Sequence, residues 1–121
     1  MPYTIDFQDD PPLLRLRLWG FWNPATVAVF ARDIEDVRAE HLKRVGKFDT
    51  LADASAMRVQ SLAVIERFQL MQQLSRSLNA GRIAIVVGNM LPGLQAKRSI
   101  ADAKTAVFAT IEDATGWLYP S

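Results

Sequence analysis

Few side chains in this sequence have chemical reach. His41 is the one histidine and cysteine is absent, so disulfides, thiolate metal sites and cysteine nucleophiles are excluded. A single imidazole with no clustered ligands does not build a common metal site. No metal and no cofactor is expected. Asp53 and Ser55 stand at the end of a strand-like segment, where open α/β sheets place functional groups. Together with His41 they supply the residue types of a hydrolase triad, yet no strained elbow surrounds Ser55 and no spacing brings His41 beside it. No catalytic residue is assigned, and binding is a better reading than catalysis. The binding candidates are Asp53 and Ser55 on the polar side and Trp22, Met57 and Met90 on the apolar side, since aromatic and methionine side chains suit adaptable apolar pockets. Among Trp19, Phe21 and Trp22, alternation sends Trp19 and Phe21 to one side and leaves Trp22 as the exposed one.

These residues need a scaffold, and local chemistry predicts one. Tyr3 to Phe7 alternate, Asp9 to Pro12 break the run as a turn would, and Leu14, Leu16 and Leu18 alternate with Arg15 and Arg17, which predicts a hairpin. Asn23 before Pro24 is a strong helix start. Val27, Phe30, Ile34, Val37 and His41 then recur at helical spacing, Arg32, Asp33, Glu35, Asp36, Arg38 and Glu40 fill the polar face, and Gly46 ends the helix. Phe48 to Ala54 reads as a core strand. A second, broadly buried helix runs from a Ser61 cap to about Asn79, with Leu62, Ile65, Phe68, Leu70, Met71, Leu74 and Leu78 as apolar positions. The unbroken apolar run Ile83 to Val87 is expected at the centre of the sheet, covered on both faces. Gly88 to Gly93 matches no phosphate-cradling loop and reads as a tight connection to a third helical region, Leu94 to Asp102. Ala106 to Ala109 is one more strand, and Thr110 with Asp113 resembles a capping box for a short last helix to Leu118.

The predicted order is β-β-α-β-α-β-α-β-α: an α/β fold with a four- to five-stranded mixed sheet and flanking helices, its crossovers right-handed. The 121 residues fit a single domain spanning 1–121. Fourteen Lys and Arg against thirteen Asp and Glu leave a net charge of +1, too little for the basic field that captures nucleic acid, so no nucleic-acid partner is expected. Arg82, Lys97, Arg98 and Lys104 read as a solvated face. Met1 to Asp10 carries acids where a signal peptide carries bases, and no apolar run approaches the ~20 residues of a membrane span, so a cytoplasmic location is expected. Edge strands of an open sheet invite pairing, which leaves self-association open.

The order and its punctuation resemble the STAS superfamily, in particular the SpoIIAA-like branch related to bacterial anti-sigma factor antagonists. The resemblance runs over nearly the whole chain. It is carried by the hairpin ending in Gly20, the helix opening at Asn23-Pro24-Ala25-Thr26, the strand ending Leu51-Ala52-Asp53, the strand Arg82 to Gly88, and the close from Val107-Phe108 through Asp113, Ala114, Trp117 and Leu118. It implies a regulatory module that docks a protein partner. In the regulatory members an Asp-Ser-Ser-Gly loop holds a phosphorylated serine. Asp53-Ala54-Ser55-Ala56 matches that loop in part, making Ser55 the phosphorylation candidate, although the neighbouring Ser and Gly are absent. A helix opening at Ser55 would stabilise an added phosphate, whereas Arg58 and Gln60 argue for a later start. Other SpoIIAA-like chains resemble CRAL-TRIO domains, which gives the alternative: an apolar ligand, or peripheral contact with a membrane, through Trp22, Met57 and Met90.

Overall fold

We describe residues 2–77, 81–87 and 104–120 of a computed structural model. The elements are β1 (Tyr3–Asp9), β2 (Pro12–Gly20), α1 (Pro24–Val45), β3 (Asp49–Met57), α2 (Leu62–Ser77), β4 (Ile83–Val86), β5 (Thr105–Phe108) and α3 (Ile111–Leu118). The third helical region expected at Leu94 to Asp102, the loop before it with Met90, and Lys97 and Arg98 lie outside the described residues. The five strands form one sheet in the order β1-β2-β3-β4-β5. β1 and β2 are antiparallel, and every later pairing is parallel. This is the mixed α/β sheet expected from the alternation of elements.

Local chemistry sets the helix ends. Asn23 is extended, and its side-chain oxygen accepts the Thr26 amide at 2.8 Å, with Pro24 opening α1. Gly46 closes that helix at φ 79°, a left-handed conformation other residues avoid, and its amide donates to the Leu42 carbonyl. The Ser61 hydroxyl accepts the Val64 amide at the start of α2, and the Thr110 hydroxyl accepts the Asp113 amide at the start of α3. Gly81 answers a different demand. Its amide donates to the Phe48 carbonyl, and a Cβ there would collide with that carbonyl and with the Asp49 carboxylate.

Alternation divides the sheet into two faces. On the first, Leu14, Leu16, Leu18, Phe48, Ala52 and Ala54 meet Val27, Phe30 and Ile34 of α1 and Val64 of α2. On the second, Leu13, Leu51, Ala84 and Val86 meet Ala114 and Leu118 of α3. Helix α3 is only eight residues long, and the second face of the hairpin stays open: Thr4, Asp6, Arg15 and Arg17 are all exposed.

Four expectations need correction. The centre of the sheet is β3. Ile83–Val86 is interior, paired on both sides, but stands one place from the β5 edge, because a continuous apolar run reports cover on both faces and not rank in the sheet. β3 continues to Met57, where the sequence predicts an end at Ala54, because β2 pairs with it as far as Gly20. Helix α2 is not broadly buried: Leu62 and Leu70 are exposed, and its core positions are Val64, Phe68 and Met71. Arg38 belongs to the buried side of α1, four residues after Ile34, with Glu35 3.6 Å away.

Candidate functional site

The parallel strands β2 and β3 end side by side, and a single side chain holds the two segments that leave them. Gln60 accepts the Trp22 amide through Oε1 at 2.9 Å and donates through Nε2 to the Gly20 and Arg58 carbonyls at 3.0 and 2.6 Å. The Arg58 amide also donates to the Gly20 carbonyl. Gly20, at φ 74°, turns the chain out of β2. The strand alternation that predicts an outward Trp22 stops at this turn, and the two aromatic rings exchange places. Trp22 is 7% exposed and Phe21 69%. The Trp22 ring packs among Tyr3, Phe30 and Phe68, and its indole N–H donates to the Trp19 carbonyl at 3.0 Å. Trp22 is therefore a core residue.

Phe21 is the outward group, with the Arg58 guanidinium 5.3 Å from its ring centre. Val59 and Leu62, also exposed, continue the same stretch of chain into α2. The sequence alone did not mark Phe21, Val59 and Leu62 as surface residues. The signal available was Gly20 directly before the aromatic pair, which marks the point where strand alternation ceases to apply.

Asp53 is the middle residue of β3 and Ser55 lies in its last third, both on the second face by alternation with Ala52 and Ala54. Asp53 pairs with Val86 at the last residue of β4 and with Arg17 of β2, so Ser55 lies beyond the end of β4 and is exposed. One carboxylate oxygen of Asp53 accepts both the Ser55 amide at 3.1 Å and the Ser55 hydroxyl at 2.6 Å. The helix after β3 opens at Leu62 after Ser61, as Arg58 and Gln60 argue, so α2 does not begin at Ser55. A phosphate on Ser55 would forfeit the bond to Asp53 and set two anions side by side. Met57, the last residue of β3, is half-buried against the first core.

The triad is not assembled. His41 stacks on Phe7, with ring centres 4.0 Å apart and planes 8° from parallel, and its Nδ1 accepts from Arg44 at 2.6 Å. Arg44 in turn pairs with Asp9 at 2.7 Å. Phe7 lies in the row of Leu14 and Thr50, roughly 16 Å along the strand from Ser55, and on the opposite face. Among the described residues no group of three or more His, Cys, Asp or Glu side chains gathers as a metal cluster.

A second polar cluster forms at the other end of the sheet. Asp49 accepts the Arg82 amide at 2.8 Å, and the Arg82 guanidinium lies 3.6 Å from the centre of the Trp117 ring. Burial, reinforced by the negative charge of Asp49 and opposed by Arg15, pushes the Tyr119 hydroxyl above its usual range. Arg82 is thus a packed residue on the flank of α3 and not part of a solvated basic face.

This arrangement has a solved counterpart. A protein of the DUF3478 family from Shewanella loihica PV-4, described as having a SpoIIAA-like fold, superposes with a TM-score of 0.69 over 97% of this chain and 93% of its own, at 18% identity. The fold of this chain is SpoIIAA-like. At that identity the likeness speaks for the SpoIIAA-like architecture alone. No family model matches the sequence, and no curated protein does. No described helix is long and apolar enough to cross a membrane.

Proposed function

We propose that this SpoIIAA-like domain is a STAS-type regulatory module, and that a protein partner docks where β2 and β3 end, against Phe21, Val59 and Leu62 with Asp53 and Ser55 at the rim. The observation that supports this most is the outward placement of Phe21 between two backbone groups held by Gln60. A 69% exposed phenylalanine is normally a liability, and here both neighbouring residues are tied down by Gln60. A large apolar side chain carried on a backbone held at both sides loses less entropy on binding than one on a free loop, which is the property of an interface anchor. Arg58 gives the anchor a positive flank that favours a partner carrying a carboxylate beside its apolar pocket. The geometry at Ser55 favours docking that does not depend on a phosphoserine. The apolar-ligand reading draws no comparable support, because Trp22 is consumed by the core.

Photocrosslinking tests this reading. A benzophenone side chain at position 21 should capture a discrete protein in cells of the source organism, and the same group at exposed Lys47, at the far end of the sheet, should not. Arg58→Glu should lower the yield at position 21. Equal labelling from both positions would remove the proposed surface, and adducts to lipid would replace the protein partner with a membrane.

A further inference from the structure

We propose that the outer edge of β1 is a self-recognition surface, on which a second copy of this chain adds its own β1 antiparallel to make a continuous sheet across a two-fold axis. The argument starts from which backbone groups are free. The Trp19 amide donates to the Pro2 carbonyl, and the register pairs Tyr3 with Leu18, Thr4 with Arg17, and so on to Asp9 with Pro12. Backbone groups of successive strand residues point alternately to the two sides. Pro2, Thr4, Asp6 and Gln8 therefore bond inward to β2, while Tyr3, Ile5 and Phe7 direct N–H and C=O outward. Nothing among the described residues takes those groups up, and β1 is an end strand of the sheet.

Natural edges are blunted by proline, lysine, bulges, shortness or a covering element. β1 is seven residues long, carries neither Pro nor Lys, and keeps an unshifted register with β2. The irregularity of this sheet falls instead between β2 and β3, and the opposite edge, β5, has only four residues.

The side chains select the occupant. A two-fold axis at Ile5 sets Ile5 against Ile5 of the second copy and Tyr3 against its Phe7 as hydrogen-bonded pairs, so that all three outward residues are used. On the other face it sets Thr4 against Asp6, a hydroxyl beside a carboxylate. Moving the axis to Asp6 brings two carboxylates together in the close, non-hydrogen-bonded pairing, and moving it to Thr4 leaves Phe7 unpaired. One register is thus self-complementary in backbone and apolar face and sets no two acids directly opposite, as an isologous contact requires. Asp6 already faces Arg15 across β2, which limits repulsion between the two acids on the diagonal. This surface lies on the opposite edge of the sheet from β5 and is independent of the docking surface at Phe21.

Sedimentation velocity across the micromolar range tests the pairing. The full chain should show a concentration-dependent two-chain species. Ile5→Pro removes an amide that points outward and leaves the β1–β2 ladder whole, a position where edge strands tolerate proline, and should give a folded single chain. Thr4→Asp places a new acid opposite Arg17 within the chain but opposite Asp6 of the second copy. Made twice per interface, it should raise the dissociation constant at least about tenfold. Amide exchange supplies an independent readout if Ile5→Pro does not fold. Ile5 and Phe7 should be protected in the dimer and lose protection on dilution, while Thr4 and Asp6 stay protected throughout. A single-chain mass at all concentrations, a dimer indifferent to both substitutions, or fast exchange at Ile5 and Phe7 in a dimer would overturn the proposal.

Discussion

Replacing Tyr3 by Phe should weaken this protein in a pH-dependent way that the geometry specifies. Tyr3 is 8% exposed, packs edge-on against Phe30, and donates its hydroxyl to Asp33 of α1 at 2.5 Å. Burial first, then the bond to Asp33 and the charge of that carboxylate, raise the phenol from 10.0 to about 12. A folded-state value above the unfolded one means stability that is fully present below pH 10 and lost as pH rises through 12. That separation corresponds to at most about 2.7 kcal/mol, and screening of the half-exposed Asp33 reduces it to about 1–2 kcal/mol. The Phe variant keeps the ring and loses the bond, and near neutrality that loss should cost about 1–2 kcal/mol as a hydrogen bond to a partly exposed carboxylate. Urea unfolding of both proteins from neutral pH to above pH 11 reads the difference directly. The gap should be constant up to the ordinary tyrosine range and shrink above it. A gap that stays constant through the alkaline range, or no gap at neutral pH, would refute the assignment of this stability to the Tyr3–Asp33 bond.

Trp22→Ala should lose about 3–5 kcal/mol in chemical denaturation, as truncation of a buried aromatic does; a loss below about 1 kcal/mol would return Trp22 to the surface. Gly81→Ala forces a Cβ into the Phe48 carbonyl and Asp49 carboxylate and should destabilise by about 1–3 kcal/mol, seen as a lowered melting temperature, while an unchanged melting temperature would deny the close approach. Asn23→Ala should lose about 1 kcal/mol and Asn23→Ser recover most of it, read by thermal melts of helical signal, since the side-chain oxygen accounts for the cap. Ser55→Ala exchanges an exposed bond for solvation and should stay within about 0.5 kcal/mol of the parent, so any loss of partner binding by this variant reports on contact and not on folding.

What could be read from the residues alone depended on how local the determining force is. Asn23, Gly46, Ser61 and Thr110 act on amides and carbonyls within a turn of themselves, and the corresponding helix ends emerged from the sequence within a residue or so. The order of elements followed as directly. Features set by a neighbour distant in sequence did not. β3 extends past Ala54 because β2 lies alongside it, and the rank of the Ile83–Val86 strand depends on which strands flank it. The exchange of Trp22 and Phe21 has the same origin. Gly20 and Gln60 are separated by forty residues, and nothing near Trp22 records that an amide beyond β3 will hold its backbone. The candidate residues divide likewise: the sequence puts Asp53 and Ser55 at a strand end, whereas β3 runs on past them to Met57, and the outward placement of Phe21 required the fold.

Gln60 holds the backbone on both sides of the exposed Phe21. One carboxamide both donates and accepts across the gap between the end of β2 and the entry to α2, a two-way latch that neither a carboxylate nor an ammonium can imitate. A load on the backbone at Phe21 would therefore be shared, through that carboxamide, with the segment that enters α2.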